Sequence, residues 1–282
     1  MSRRTQSLKK IWLLGVSVGA VALASCSQTA ASEVEVQGPT IVSLNPCTDA
    51  ILLEVADPRQ VLAISHYSHD PRASSIAPEV AREFNSTGGT VEEILALNPD
   101  IVIAGSLLAP ASVAALANLN FRVELYGSTN KIDDSYAQIR AIGVLVGHQD
   151  RASKLIERIE QSLAHNAPAG GQEQITATMW QPGQIVPGEA TLVSELMERT
   201  GFASHSQARG LGQADYLSLE QVIADPPELL MIAGDARAQQ HPALEKLDST
   251  RIEGFDPSLL YCGGPSIIRA SKRLSEIRRH MK

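Results

Sequence analysis

The sequence predicts an α/β protein made of two α/β lobes with mostly parallel sheets, joined by one long connecting helix, with a cleft between the lobes. Three features predict this fold. Short apolar runs alternate with helical patterns, a 14-residue pattern recurs 128 residues downstream, and a long amphipathic stretch separates its two copies. Alternating strands and helices are typical of parallel βαβ units. With 282 residues, 44% of them hydrophobic, the chain can form a core in each lobe.

The strands are predicted from apolar runs that are too short to be helices. They cover residues 41–44, 61–64, 101–104 and 123–125 in the first lobe, and residues 175–179, 229–232 and 251–255 in the second. Helical spacing predicts helices over residues 132–146, 150–163 and 266–279, of which 150–163 is the long connection. These elements divide the chain into an N-terminal lobe (39–131), a helical connector (132–168) and a C-terminal lobe (169–282).

An internal repeat supports the two-lobe prediction. Residues 91–104 recur in kind as residues 219–232, and in each copy a helix with Glu near its start ends before a proline and a strand follows. Each copy also has capping-box spacing, Thr90 with Glu93 and Ser218 with Gln221. Recurring supersecondary units indicate a duplicated architecture. The alternative is that these segments are generic features of α/β chains.

The N-terminus predicts an export signal. Basic residues precede an uncharged run over residues 11–24, which is too short to cross about 30 Å of hydrocarbon. Residues 23–26, Leu-Ala-Ser-Cys, resemble the lipobox of bacterial lipoproteins, which makes Cys26 the predicted lipidation site and first mature residue. Residues 1–25 are then a signal peptide, and residues 26–38 are a polar tether to a membrane. The alternative is ordinary cleavage after Ala24.

Composition and charge argue against several classes of function. The chain has 24 Lys and Arg against 31 Asp and Glu, which argues against nucleic acid as a partner because phosphate binding needs clustered positive charge. Three cysteines exclude a disulfide-rich framework and show no four-ligand zinc pattern. The chain also lacks the nucleophile-elbow, zinc-protease, phosphate-loop and dinucleotide-binding motifs of common enzymes.

The densest polar cluster is residues 65–71, Ser-His-Tyr-Ser-His-Asp-Pro, directly after the second predicted strand. Open parallel sheets bind ligands at the carboxyl ends of their strands, so this cluster is the best candidate site. His66, His69 and Asp70 could donate to a metal ion, and a metal-dependent hydrolase using them is a remote alternative from another class of function. The other alternative is that they line the cleft or form a solvated turn.

Four segments together resemble a known family, the periplasmic substrate-binding proteins of ferric-siderophore and cobalamin ABC transporters. They are residues 41–46 followed by Thr48 and Asp49, residues 91–105, Gly143 with Gly147, and residues 218–220 before Pro227 and Glu228. The resemblance implies a monomer without enzymatic activity or intrinsic cofactor. Such a protein holds a metal chelate between its lobes and delivers it to an ABC permease dimer.

Within that family the chain is most similar to the cobalamin-binding branch. The resemblance implies that Tyr67 contacts the corrinoid and that Trp180 supplies an aromatic face in the second lobe, since flat apolar rings suit a macrocycle. The chain departs from that branch at Ser86 and Ala214, where cobalamin binders tend to carry tryptophans, and at Cys262, near a cleft arginine. The alternatives are a core role for Trp180 and a plain loop role for Tyr67.

Two other chelates are alternative ligands. Ferric siderophores call for arginines such as Arg72, Arg209 and Arg237, of which Arg209, flanked by glycine, is best placed unless it is a solvated surface residue. Haem calls for an axial ligand such as His66 or Tyr67. The full predicted ligand-binding set is Asn45, Cys47, His66, Tyr67, His69, Trp180, Arg209 and Cys262.

Two acidic residues, Glu92 and Glu220, occupy equivalent places in the repeat. The resemblance implies that they dock on arginines of the permease. An exposed carboxylate near a helix start is favoured by the helix dipole, and in an interface it sets orientation and association rate more than affinity. The alternative is that both are helix-terminal acids without a partner.

Cys47 and Cys262 are the two cysteines that remain beside Cys26, and both are expected near the cleft. Exported cysteines tend to pair in an oxidising compartment. Three alternatives stay open. The two residues form a bridge that closes a loop of over 200 residues, they are separate buried thiols, or they are soft donors that contact a ligand metal.

Overall fold

The computed structural model describes residues 38–281, which belong to one compact unit. The predicted signal peptide, the predicted lipidation site Cys26 and residues 26–37 of the predicted tether lie outside the described residues. Within the described range the chain forms two α/β lobes, each built on a parallel sheet. The predicted fold class is confirmed.

The first lobe contains a parallel five-stranded sheet with strand order β3-β2-β1-β4-β5. Its elements are β1 (Ile41–Ser43), α1 (Pro46–Val55), β2 (Val61–Ser65), α2 (Pro78–Ala81), β3 (Ser86–Thr87), α3 (Val91–Leu97), β4 (Ile101–Gly105), α4 (Pro110–Asn118) and β5 (Arg122–Tyr126). The chain moves outward from β1 to β3 and then returns past β1 to β4. The carboxyl ends of β1 and β4 therefore flank a topological switch point, where open α/β sheets bind ligands.

Two helices connect the lobes, α5 (Ile132–Val146) and α6 (Gln149–Asn166). With 18 residues, α6 is about 27 Å long at 1.5 Å per residue. The helices approach each other closely at Gly143, where an added Cβ would lie only 2.5 Å from the Cβ of Ala152. Gly147 ends α5 in the left-handed conformation, with φ of 77°. The connecting helix is confirmed and is longer than the predicted 150–163.

The second lobe contains a parallel four-stranded sheet with order β11-β10-β6-β8 and a small antiparallel pair, β7 with β9. Its elements are β6 (Ile175–Trp180), β7 (Ile185–Val186), α7 (Leu192–Arg199), β8 (Phe202–Ser204), α8 (His205–Ala208), β9 (Asp215–Tyr216), α9 (Leu219–Ala224), β10 (Leu229–Ala233), β11 (Arg251–Phe255) and α10 (Ser266–His280). The sequence did not predict β3, β7, β8 or β9. Strands of two or three residues are too short to show a period.

The strand residues alternate between two covered faces of each sheet. In the first lobe Ile41 and Ile101 belong to the main core, whereas Val42 and Val102 belong to a separate cluster on the opposite face. The main core continues through apolar residues of α1, α5, α6 and α10 into the inner face of the second sheet. The connecting helices are thus part of the core and not a solvated linker.

The internal repeat forms the same structure twice, α3 with β4 and α9 with β10. The Thr90 hydroxyl accepts a hydrogen bond from the Glu93 amide at 3.2 Å, and the Ser218 hydroxyl accepts one from the Gln221 amide at 3.3 Å. In both copies the side chain of the third helical residue returns to the backbone of the cap. The predicted capping boxes are therefore confirmed in both lobes.

Candidate functional site

A cavity of about 100 Å³ lies at the carboxyl ends of β1, β4 and β5. Its walls come from the start of α1, from the turns after β4 and β5, and from the segment before α10. Among its lining residues are Asn45, Cys47, Gly105, Tyr126, Gln138 and Tyr261. The cavity is thus at the switch point of the first sheet and is closed by residues that follow the second sheet in the chain.

Asn45 shapes one wall of this cavity by capping α1. Its side-chain oxygen accepts a hydrogen bond from the Cys47 amide at 2.8 Å, and Pro46 takes the first helical position, where no amide hydrogen is needed. A Cβ at Gly105 would lie 2.6 Å from Nδ2 of the Asn45 side chain. Glycine at the end of β4 therefore leaves room for the cap.

Cys47 and Cys262 form a disulfide with a Cα–Cα distance of 5.2 Å. This confirms the bridge among the three alternatives, and the separate-thiol and metal-donor alternatives are wrong because both sulfurs are bonded to each other. The bridge ties the start of α1 to residues 261–264. That segment is also held to α5, since the Gly264 amide donates to the Ser135 hydroxyl at 2.6 Å. Both cysteines line the cavity.

The cluster over residues 65–71 forms a short 3-10 helix, His66–His69, directly after β2. Tyr67 is 55% exposed, and the centroid of its ring lies 4.0 Å from that of the His66 ring. His66 Nδ1 lies 3.3 Å from the carbonyl oxygen of Thr87 in β3, to which it donates when protonated there. The turn is therefore fixed to β3 on one side and presents Tyr67 to solvent at the carboxyl edge of the sheet.

The three potential metal donors of this turn are not assembled into a site. Asp70 forms an ion pair with Arg72 at 2.9 Å, and the Arg72 side chain lowers the pKa of Asp70. His69 Nε2 is buried without a hydrogen-bond partner among the described residues. Over residues 38–281, no three His, Cys, Asp or Glu side chains are grouped closely enough to hold a metal ion.

Asp49 belongs to α1, and its side chain bonds to the segment that contains the His66–His69 turn; the sequence marked it only as part of the family motif. Its carboxylate accepts hydrogen bonds from the Ser65 amide at 2.9 Å and from the Ser68 hydroxyl at 2.5 Å. Complete burial raises the pKa of Asp49 to about 7, although the hydroxyls of Ser43 and Ser68 and the Ser65 amide each lower it. The residue therefore changes charge near neutral pH.

Trp180 is completely buried at the end of β6. Its indole nitrogen donates to the carbonyl oxygen of Leu217 at 3.0 Å, and the ring packs with Val186, Leu230 and Leu244. This placement matches the core alternative. The side chain offers no surface to a ligand in this conformation.

Arg209 is paired within the second lobe. Its guanidinium lies 2.9 Å from the Asp225 carboxylate, which His205 also approaches at 3.4 Å. Arg72 is paired with Asp70, and the side chain of Arg237 is exposed. Two of the three arginines considered for an anionic chelate are therefore already engaged by carboxylates.

Glu92 and Glu220 are both exposed, and each lies in the first turn of its helix. Hydrogen bonds from its own backbone amide and from Ser218 lower the pKa of Glu220. The two lobes thus present equivalent carboxylates.

Two tyrosines of the cavity wall, Tyr126 and Tyr261, were missed by the sequence analysis. Burial, and secondarily the Glu124 carboxylate, raises the pKa of Tyr126, and burial followed by Asp256 raises that of Tyr261. Tyr126 ends β5, so the rule that selected residues 65–71 could also have selected it. Tyr261 had no such signal except its place beside Cys262.

A scan against protein-family profiles matches residues 41–252 to the family described as periplasmic binding protein. The chain belongs to this family. Comparison with curated protein sequences finds no significant match. The family assignment therefore rests on a match that extends across both lobes.

Solved structures of similar fold include the periplasmic haem-binding protein HutB of Vibrio cholerae (TM-score 0.70, 16% identity, covering 85% of this chain and 98% of that one). The periplasmic vitamin B12-binding protein BtuF of Vibrio cholerae has a TM-score of 0.65 and 20% identity, covering 86% and 98%. The haem-binding protein RhuT of Roseiflexus sp. RS-1 has a TM-score of 0.67 and 19% identity, also covering 86% and 98%. At these identities the likeness shows a shared fold.

Family membership supports a binding role instead of an enzymatic one, and it indicates an exported protein. Among residues 38–281, no helix has the length and apolar character needed to cross a membrane.

Proposed function

We propose that the protein captures a metal chelate in the cleft between its lobes and delivers it to an ABC permease. The observation that carries this proposal is the cavity at the switch point of the first sheet, closed by the Tyr261–Cys262 segment. Tyr67 follows β2 and Tyr126 ends β5, so both lie at the same carboxyl edge of the sheet, with β1 and β4 between their strands. Aromatic faces at a switch point are suited to a large, flat ligand.

The size of the cavity limits how such a ligand binds. Ligand pockets usually enclose roughly 300–1,000 Å³, whereas this cavity encloses about 100 Å³. A tetrapyrrole ring therefore does not fit inside it, although one peripheral group of the ring does. In the proposed complex the ring lies outside the cavity and against the exposed side chain of Tyr67.

Cobalamin is the first candidate ligand. Its corrin ring can be bound by apolar contact with an exposed ring such as that of Tyr67, without a cluster of free cations. Anionic siderophore chelates would instead draw on arginines, and Arg72 and Arg209 are already paired with Asp70 and Asp225. The likeness to the vitamin B12-binding protein is compatible with this choice.

Haem is the second candidate, favoured by the exposed phenol groups. Tyr67 is 55% exposed and Tyr261 is 49% exposed, and a tyrosine oxygen is one of the axial ligands that proteins supply to haem iron. The chain would then present one of these oxygens, or His66, to the metal. Two of the three similar structures described above are haem-binding proteins.

Titration of the purified chain from Ser27 onward with cyanocobalamin, haemin and several ferric siderophores, followed by absorbance, tests the ligand. We expect saturation at micromolar concentration or below for cyanocobalamin and at least tenfold weaker binding by Tyr67→Ala, since a buried aromatic contact contributes about 1.4 kcal/mol or more. Leu119→Ala, which truncates another exposed apolar side chain, at the C-terminus of α4, is the control. Saturation by haemin alone selects the second candidate, and no saturation by any chelate contradicts the proposal.

Permease docking is assigned to Glu92 and Glu220. We expect Glu92→Arg with Glu220→Arg to abolish association with the permease and to leave chelate affinity unchanged, because both carboxylates are exposed at helix starts. Glu79→Arg with Glu157→Arg is the control, since it makes the same change of charge at other exposed positions. Equal loss in both double variants, or no loss in the first, contradicts the assignment.

Membrane anchoring is assigned to Cys26, which lies outside the described residues. A diacylglycerol with an additional acyl chain supplies the multiple-chain anchoring that a single acyl chain lacks. We expect Cys26→Ala to move the protein from the membrane fraction to the soluble fraction. A native N-terminus without acyl mass in mass spectrometry would replace the lipoprotein assignment with ordinary secretion.

A further inference from the structure

Asp49 connects the disulfide-bearing helix to the turn that carries Tyr67. It stands two positions after Cys47 in α1, and its side chain is fully buried. One carboxylate oxygen accepts both the Ser65 amide and the Ser68 hydroxyl, which lie on either side of the exposed pair His66 and Tyr67. The other oxygen is buried and accepts no hydrogen bond within residues 38–281; the nearby Ser43 hydroxyl lies 2.9 Å from the Thr48 hydroxyl instead. The turn is therefore held to α1 through a single carboxylate.

Few other ionisable groups surround this carboxylate. The neighbouring strands β1, β2 and β4 carry no charged residue, and the turn itself carries His66 and His69. On α5 the ionisable residues are Asp133, Asp134, Tyr136 and Arg140. Residues of α6 reach α1 at its other end, where Arg158 pairs with Glu54 and Arg151 donates to the Ala56 carbonyl. The local field at Asp49 is therefore set by burial and by neutral donors.

We propose that Asp49 is a positioning residue for the ligand site: it holds the His66–His69 turn against α1 and releases it when the buried carboxyl group becomes charged. This inference rests on the proposed function, because the turn presents the proposed ligand contact Tyr67. It adds a residue that does not touch the ligand and a dependence on pH that the cleft itself does not explain.

The direction of the pH effect follows from proton linkage. Burial raises the pKa of Asp49 to about 7 from a usual value of 3.8, so the closed turn binds the proton more tightly than an open turn in which the carboxyl group is solvated. The closed turn is therefore favoured at low pH and is lost progressively as the pH rises through about 7. Between about pH 5.5 and pH 8 the open turn gains up to about 30-fold in population relative to the closed one.

The Ser65 amide reports this opening directly, because its hydrogen bond is to Asp49 itself. Hydrogen exchange of the chain from Ser27 onward is measured at pH 5.5 and at pH 8. The rate is expressed as a protection factor, which removes the intrinsic pH dependence of exchange. We expect the protection factor of Ser65 to fall by up to about 30-fold at the higher pH. In Asp49→Asn, which imitates the protonated acid, the protection factor should be independent of pH and should equal or exceed the low-pH value of the wild type.

Three further variants separate this role from a general structural one. Asp100→Asn removes a carboxylate that also accepts a hydrogen bond from a backbone amide, that of Thr40 at 2.8 Å. In this variant the Ser65 protection factor should depend on pH as it does in the wild type. The same result in His69→Gln would show that the histidine is not the source of the pH dependence. Ser68→Ala retains the carboxyl group but removes a donor to its charged form, so the midpoint of the fall should move to higher pH. If Asp49→Asn does not fold, the shift of this midpoint in Ser68→Ala still tests the role of Asp49.

The ligand arm uses cyanocobalamin and haemin as probes. The affinity of whichever probe binds should weaken from pH 5.5 to pH 8 in the wild type and stay constant in Asp49→Asn. A flat Ser65 profile in the wild type, the same profile in Asp49→Asn, or an unmoved midpoint in Ser68→Ala overturns the inference. If the Ser65 protection factor depends on pH but the affinity for the probe does not, the link between Asp49 and the ligand is overturned. If neither probe binds, the proposed ligand fails while the exchange data still decide the role of Asp49.

Discussion

Breaking the Cys47–Cys262 disulfide is expected to lower the free energy of unfolding by about 5 kcal/mol. The bonded residues are 215 positions apart, so the bridge closes most of the described chain into one loop. For a loop of that length, the chain-entropy description assigns the unfolded state a loss of about 18 cal/mol/K, which is about 5 kcal/mol at 25 °C. The native state should change little, because residues 261–264 are also held by the Gly264–Ser135 hydrogen bond.

The assay compares urea unfolding of oxidised and reduced protein, prepared from Ser27 onward so that Cys26 is absent. With a denaturant slope of about 3 kcal/mol/M, the midpoint should fall by about 1.7 M on reduction. Thiol titration of the unfolded protein should count no free thiols before reduction and two after it. The Cys47→Ala, Cys262→Ala double variant should match the reduced wild type and should not respond to reductant.

Two results would refute this reasoning. Two free thiols in protein purified from an oxidising compartment would show that the bridge does not form. An unchanged midpoint, despite a confirmed bridge, would show that the unfolded chain gains no entropy from its removal.

Three other predictions concern stability and the core. Trp180 is the only tryptophan from Ser27 onward and is fully buried, so its emission should be blue-shifted and poorly quenched by acrylamide. Trp180→Phe should lower the free energy of unfolding by about 1–3 kcal/mol, because the hydrogen bond to Leu217 is lost, as measured by urea unfolding. Strong quenching would place the ring at the surface. The pKa of about 7 at Asp49 should make the wild type lose about 4 kcal/mol of stability as the pH rises from about 4 to 7, and Asp49→Asn should remove that slope in urea titrations at several pH values. An equal slope in both proteins would rule out Asp49 as its source. A Cβ at the buried Gly188 would overlap the carbonyl oxygens of Leu211 and Gly212. Gly188→Ala should therefore lower the thermal midpoint by an amount equivalent to about 3 kcal/mol or more. Gly170→Ala is the control and should leave the midpoint unchanged, because the space around Gly170 is open. Equal midpoints would mean that the backbone moves aside freely.

The order of strands and helices could be read from the sequence because it depends on local periodicity. Apolar runs such as residues 101–104 and the spaced apolar residues of α6 each reveal their element without reference to the rest of the chain. The capping boxes at Thr90 and Ser218 were equally local. The strands that were missed, such as β8, are too short to carry a period, and they form because a neighbouring strand pairs with them.

The candidate site divides in the same way. The sequence by itself determined that a polar turn with Tyr67 follows a strand, because chain order places that turn at the carboxyl edge of the sheet. Only the tertiary structure decided that Trp180 is core, that Arg209 is paired with Asp225, and that Cys47 meets Cys262 across 215 positions. Burial, ion pairing and long-range contact are properties of what packs against a residue, and residues that are neighbours in space need not be neighbours in sequence. The raised pKa of Asp49 has the same origin, since it follows from the burial that the fold imposes.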